Sequence, residues 1–138
     1  MLIIGLDNGI ILKSTKRSIT RDMLPAAIIY PSDEDYNNEV EILYWRKNWG
    51  IRTDVITTFS DSDGSEYRYE INKPEDVMKF IELIASWLNK DRWETEGRSI
   101  WTYEEIRPIL IQNIINLSII YTFMCENPDV YLVFYDSY

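Results

Sequence analysis

Glu41, Tyr44, Arg46, Asn48 and Arg52 are the residues of this chain whose types and spacing could bind a ligand or a partner. They fall in one segment, where the large aromatics Tyr44, Trp45 and Trp49 meet the cations Arg46 and Lys47 inside an otherwise acidic sequence. Aromatic residues and arginine dominate the energetics of recognition surfaces. From about 38 to 59 the apolar residues Val40, Tyr44, Ile51, Val55 and Phe59 recur at helical spacing, with Ile42, Trp45, Trp49 and Ile56 as an adjoining row, which predicts a helix. On that helix Glu41, Asn48 and Arg52 project near one angle, in the middle of the apolar arc. Polar groups in a buried face are costly unless paired. Asn48 and Arg52, one turn apart, can touch, whereas Glu41 and Arg52 are separated by three turns, about 16 Å along the axis. Each therefore needs a partner elsewhere, and Asn113, centred on another apolar stripe, is a candidate. The row reads either as a buried structural network or as the wall of a ligand pocket.

Much other chemistry is excluded. The chain has no histidine, which removes the commonest general base, the Ser-His and Cys-His nucleophile systems and histidine-ligated metal sites. Its five glycines, at 5, 9, 50, 64 and 97, form no phosphate-binding loop. Asp61-Ser62-Asp63-Gly64 lacks the third ligand and the distal glutamate of a calcium loop and reads as a turn. Asp33, Glu34, Asp35, Glu39 and Glu41 could supply oxygen ligands to Mg²⁺, but such a run reads first as a solvated acidic lead into a helix. No cofactor or metal is expected, and no catalytic residue is assigned. Cys125, the lone cysteine, allows no intramolecular disulfide and reads as structural, which fits a reducing cytoplasm.

At 138 residues the chain is the size of a single globular domain, with one core and no room for a second. Twenty-three acidic against 14 basic residues give a net charge of −9, which disfavours nucleic acid and anionic membranes. Residues 1 to 32 carry four cations against two acids, a net +2, so the remainder carries −11. Such a surface suits a basic protein partner, and it also serves plain solubility. The N-terminal apolar run meets Asp7 at once and does not read as a signal peptide. The apolar stretch from Ile106 to Cys125 is interrupted by Arg107, Pro108, Gln112, Asn113 and Asn116, so it reads as a buried helix and not a membrane span.

The elements follow from periodicity and punctuation. Asn8-Gly9 between two apolar runs predicts an N-terminal β-hairpin, because Asn-Gly suits the positive φ of its two turn positions. Ala26 to Tyr30 reads as a short strand, Tyr67 to Ile71 as a half-buried one, and Val130 to Tyr135, bulky on both faces, as a strand internal to the sheet. A second helix spans about 73 to 90, capped by Asn72 and led by Pro74, and 91 to 99 is a linker. Thr102 caps a third helix over about 103 to 126 that is apolar on nearly every side and so belongs at the centre. The expected fold is α+β, a small, mostly antiparallel sheet packed with three helices.

The run Glu41-Ile42-Leu43-Tyr44-Trp45-Arg46-Lys47 with Ile51 resembles a pattern of short, uncharacterised phage and prophage proteins, Glu-x-x-Tyr-Trp-Arg-Lys followed by an Ile-His pair. Arg52 stands where that pattern has histidine, and Trp49 where it has asparagine. The resemblance implies a phage or mobile-element origin and assigns no activity. Together with the acidity it leads to the expectation of a non-catalytic protein-binding module or inhibitor of a host factor, with a homodimer also compatible. The alternatives are an immunity protein for a basic toxin, or a small-ligand-binding or enzymatic domain using the polar row.

Overall fold

A computed structural model describes residues 7–32, 39–59 and 68–137. These form an α+β fold with a four-stranded antiparallel sheet in the order β2-β1-β4-β3. The strands are β1 (Asp7–Ser14), β2 (Val40–Arg46), β3 (Arg68–Ile71) and β4 (Val130–Ser137), and the helices α1 (Trp49–Phe59), α2 (Pro74–Ser86), α3 (Lys90–Glu96) and α4 (Tyr103–Glu126). One face of the sheet carries Ile10 and Leu12 from β1, Leu43 and Trp45 from β2, Leu132 and Phe134 from β4, and Tyr69 and Ile71 from β3. On it α2 lays Phe80, whose ring stands 6.4 Å from Trp45 and 6.3 Å from Phe134. A buried aromatic of this kind contributes about 1.5–3 kcal/mol.

The N-terminal hairpin with its turn at Asn8-Gly9 does not form. Both residues lie inside β1, a central strand flanked by β2 and β4, and the first arm at residues 2–6 lies outside the described residues. Local turn propensity yields here to two tertiary demands. The Asn8 amide, on the helix-facing side, donates to Asp136 of β4. On the other side, a Cβ at Gly9 would stand 2.6 Å from the ring and hydroxyl of Tyr135 and 2.7 Å from the Leu43 carbonyl. The missing side chain is thus the lane through which the Tyr135 ring crosses β1.

The expected helix over 38–59 is half strand. Residues 40–46 pair with β1, and the helix begins only at Trp49. A register shift between Ile10 and Ile11 leaves Ile42 as an extra residue, so Ile42 and Leu43 are both buried and the period of two is broken. That phase slip is what imitates helical spacing in the sequence. Lys47 then takes a left-handed conformation (φ 54°) and Asn48 bridges to Ser99, turning the chain into α1.

Residues 26–30 form no strand, and the expected linker 91–99 contains α3, capped by the Asn89 side chain at 3.1 Å from the Arg92 amide. There are therefore four helices among the described residues, not three. Lys73, not Asn72, precedes α2, with Pro74 in its first turn. Thr102 does cap α4, and Glu105 returns a hydrogen bond to the Thr102 amide, a reciprocal capping box. α4 has the length and hydropathy that a membrane span needs, but it is not enclosed on all sides. Ile106, Leu110, Asn113, Leu117 and Ile120 face inward, while Ile115 on the opposite side is 44% exposed. It flanks the sheet beside β2 and α2 and does not occupy the centre.

Gly9→Ala is expected to destabilise the protein by about 2–3 kcal/mol, because one obstructing atom is backbone and cannot swing away. Urea unfolding followed by tryptophan fluorescence measures it, and an unchanged midpoint would show that β1 and Tyr135 are not so tightly juxtaposed.

Candidate functional site: a groove beside the edge strand

The five residues singled out in the sequence do not form one row, because Glu41, Tyr44 and Arg46 lie on a strand and Asn48 and Arg52 at and beyond the start of a helix. Glu41, on the sheet face away from the helices, is 7% exposed and accepts from the Tyr135 hydroxyl at 2.5 Å. Burial pushes its carboxyl above the ordinary 4.5, with the Tyr135 hydrogen bond pulling the other way. Arg52 donates from Nε to Asp136 at 2.5 Å, and Asn8 donates to the second oxygen of the same carboxylate. Asp136 too is raised above its ordinary 3.8, because its burial outweighs the Arg52 pair. Residues 135 and 136, adjacent on β4, point to opposite faces, so Glu41 and Arg52 are served by neighbouring residues yet lie on opposite sides of the sheet.

Asn48 does not meet Arg52 through its side chain. It is fully buried, and neither side-chain polar atom has a hydrogen-bond partner among the described residues, although its carbonyl accepts from the Arg52 amide at 3.2 Å. Asn113 does find a partner on the aromatic segment, but it is the indole of Trp45, which donates to Oδ1 at 2.8 Å. The three residues of the expected polar row are thus set apart: Glu41 meets Tyr135, Arg52 meets Asp136, and the Asn48 side chain has no hydrogen-bond partner among the described residues. The acidic run Asp33-Glu34-Asp35 and the loop Asp61 to Ser65 lie outside the described residues, while Glu39 pairs with Lys13 at 3.8 Å. Cys125, expected to be structural, is exposed near the end of α4.

Tyr44 and Arg46 have a different setting. Both line a groove of about 370 Å³ between the edge strand β2, the first half of α4 and the segment Ile29-Tyr30-Pro31. Its walls are largely apolar, built from Ile42 and Trp45 of β2, Ile106 and Ile109 of α4, Ile29 and Pro31 of the segment, and Trp101 before α4. That volume and character are those of sites that enclose a small ligand or a few side chains. Ile29, on the lip, is 62% exposed.

A single amide joins the three walls. Asn116 is 1% exposed; its Nδ2 donates to the carbonyls of Ile29 (2.8 Å) and Ile42 (3.3 Å), while its Oδ1 accepts from the Ile29 amide (3.2 Å) and from Gln112 Nε2 (2.9 Å). All four hydrogen-bonding positions of the amide are used. At the other end of the groove the Trp101 indole donates to the Arg46 carbonyl at 3.3 Å. Asn116, Trp101 and the 29–31 segment were not singled out as site residues in the sequence. The usable signal was that two asparagines three residues apart, on an otherwise apolar helix, must each meet polar groups of a neighbour.

Chemically the groove can bind but offers little for proton transfer. Arg46 is the one charged side chain among its lining residues. The Tyr44 phenol is pushed up to about 12, by burial first and then by the hydrogen bond it donates to Asp7 at 2.8 Å, so it stays protonated at neutral pH. A second depression of about 360 Å³ beside Gly50 and Trp87 carries Arg92, whose guanidinium is already engaged by Asp54 at 2.7 Å and Glu96 at 3.2 Å.

Two outcomes follow from these contacts. Asn116→Leu keeps the volume but strands polar groups of Ile29 and Ile42, and is expected to cost about 2–4 kcal/mol in urea unfolding and to speed amide exchange at Ile29. Unchanged exchange there would mean that the segment is held by other means. The second outcome concerns pH. With Glu41 and Asp136 raised, the folded chain holds protons that the unfolded chain has released. The stability they supply is full below the ordinary carboxylate values and is lost as pH rises through the raised ones. Glu41→Gln retains an acceptor for Tyr135, so its stability should fall less than that of the wild type as pH rises above 4.5. Parallel stability–pH curves would refute that assignment. Comparison of the chain with known protein families, curated proteins and solved structures finds no match to any of them.

Proposed function

We propose that this protein is a non-catalytic binding module of phage or mobile-element type that inhibits a host protein, and that the groove between β2, α4 and the 29–31 segment is its contact surface. The observation that carries this reading is an accessible, apolar groove at a sheet edge whose lining offers one cation and no paired proton-transfer groups. The net charge of −9 supports a basic partner, since a long-range field of opposite sign accelerates encounter. The phage-like pattern supports the same surface: of its residues, Ile42, Tyr44, Trp45 and Arg46 line the groove, and Trp45 also donates to Asn113. The lone Cys125 and the absence of histidine are consistent with action in a reducing cytoplasm by binding, not turnover. The same acidic surface supports a second reading of the same class, an immunity protein that masks a basic toxin.

Affinity capture from host lysate tests the proposal when wild type is run beside Ile29→Glu, a change at a 62% exposed lip residue that folding should tolerate, and Met78→Glu, a 42% exposed control on α2. A reproducible basic protein should be retained by wild type and Met78→Glu. A charge placed in the apolar contact should weaken its binding about tenfold or more in Ile29→Glu. Recovery of no partner, or equal binding by Ile29→Glu, would overturn the reading.

A further inference from the structure

We infer that the occupant of the groove is a short extended segment of a positively charged protein, added as a strand to the free main-chain groups of Tyr44. This inference rests on the protein-binding reading above and specifies how the partner is held.

Among the described residues β2 pairs with β1 alone. Along a strand, main-chain groups of successive residues point to alternate sides. The carbonyls of Ile42 and Arg46 point away from β1, because they accept from Asn116 and from the Trp101 indole across the groove. The Leu43 carbonyl points the other way, against Gly9. Tyr44, between Ile42 and Arg46 and opposite Gly9, therefore directs its N–H and C=O outward into the groove. No described residue meets either group. Among the described residues, the outer edge of β2 is thus closed at both ends by side chains and open at one residue in the middle.

That pattern selects the ligand chemistry. The closed carbonyls are four residues apart, about 13 Å of strand, so the opening admits a few residues and no long strand. One residue of an extended chain offers the N–H and C=O that Tyr44 lacks, side by side and at the right spacing. Its neighbours then direct side chains to alternate faces, one of them toward Ile106 and Ile109 on α4. Those side chains must be apolar, and the residue beside Arg46 cannot be a cation. Positive charge lies on the partner outside the groove, where it meets the acidic remainder of the chain. A second copy of this protein would satisfy Tyr44 symmetrically, but it would bring a charge of −9 against −9.

The probe is a displayed library of random short peptides, selected on the intact protein and on Ile109→Glu. The most enriched sequence is then synthesised with and without N-methylation at single positions. The expected result is an apolar centre flanked by Lys or Arg, slowed amide exchange at Tyr44 on binding, and weakening on raising salt. N-methylation of the one residue that faces Tyr44 should weaken binding about tenfold, the equivalent of one hydrogen bond, with the adjacent position tolerant. Peptides enriched equally on Ile109→Glu, no enrichment at all, or a bound peptide that leaves Tyr44 exchange unchanged would each overturn the inference. If a captured host protein is lost with Ile29→Glu yet leaves Tyr44 exchange unchanged, strand addition fails while the binding reading stands.

Discussion

A buried amide must use all of its hydrogen-bonding positions or lose stability, and Asn116 meets that requirement by joining three parts of the chain that are far apart in sequence. Its partners are the main chain of Ile29, the carbonyl of Ile42 at the β2 bulge, and Gln112 one turn earlier on α4. The groove exists because of this. Without the amide, the main-chain groups of Ile29 would lose their bonds to α4, and the bulged carbonyl of β2 would face an apolar stretch of helix. The Trp45–Asn113 bond, one turn toward the N-terminus of α4, repeats the arrangement from the core side. Two asparagines on one helix thus fix the height and orientation of the edge strand.

A comparable constraint organises the centre of the sheet. β4 sends Tyr135 to one face and Asp136 to the other, and β1 answers each with the residue directly opposite. Gly9 withdraws its side chain so that the phenol can cross to Glu41, and Asn8 extends its amide to Asp136 beside Arg52. Two carboxyls are thereby buried with hydrogen-bond donors but incompletely compensated charge, which is why both are pushed upward in pKa. The Asn-Gly pair, which locally favours a turn, is placed where its small size and its amide are worth more than its backbone preference.

Several features were legible in the sequence because their causes are local. The Thr102–Glu105 capping box, Pro74 in the first turn of α2 and the interior character of β4 depend on residues within a few positions of one another. The α+β class follows from the same signals. Other features were hidden for an equally definite reason. A single extra residue at Ile42 shifts the alternation of β2 by one, and the resulting spacing of apolar positions over 40–59 imitates a helix. Once the segment is read as a helix, Glu41, Asn48 and Arg52 fall into a row, whereas the true partners Tyr135 and Asp136 lie more than eighty residues away.

By itself, then, the sequence determined the net charge, the Thr102 cap of α4 and the class of the fold, since each is a property of composition or of short-range spacing. Tertiary structure alone decided that Asn8-Gly9 is strand and not turn. It also decided that the conspicuous aromatic segment divides into core and edge, and that Tyr44 and Arg46 face a groove whose other walls are distant in sequence. The physical reason is that bulges, buried hydrogen bonds and close ring-over-glycine packing depend on which residues meet across the sheet. Pairing of that kind is a long-range outcome of folding that local pattern does not encode.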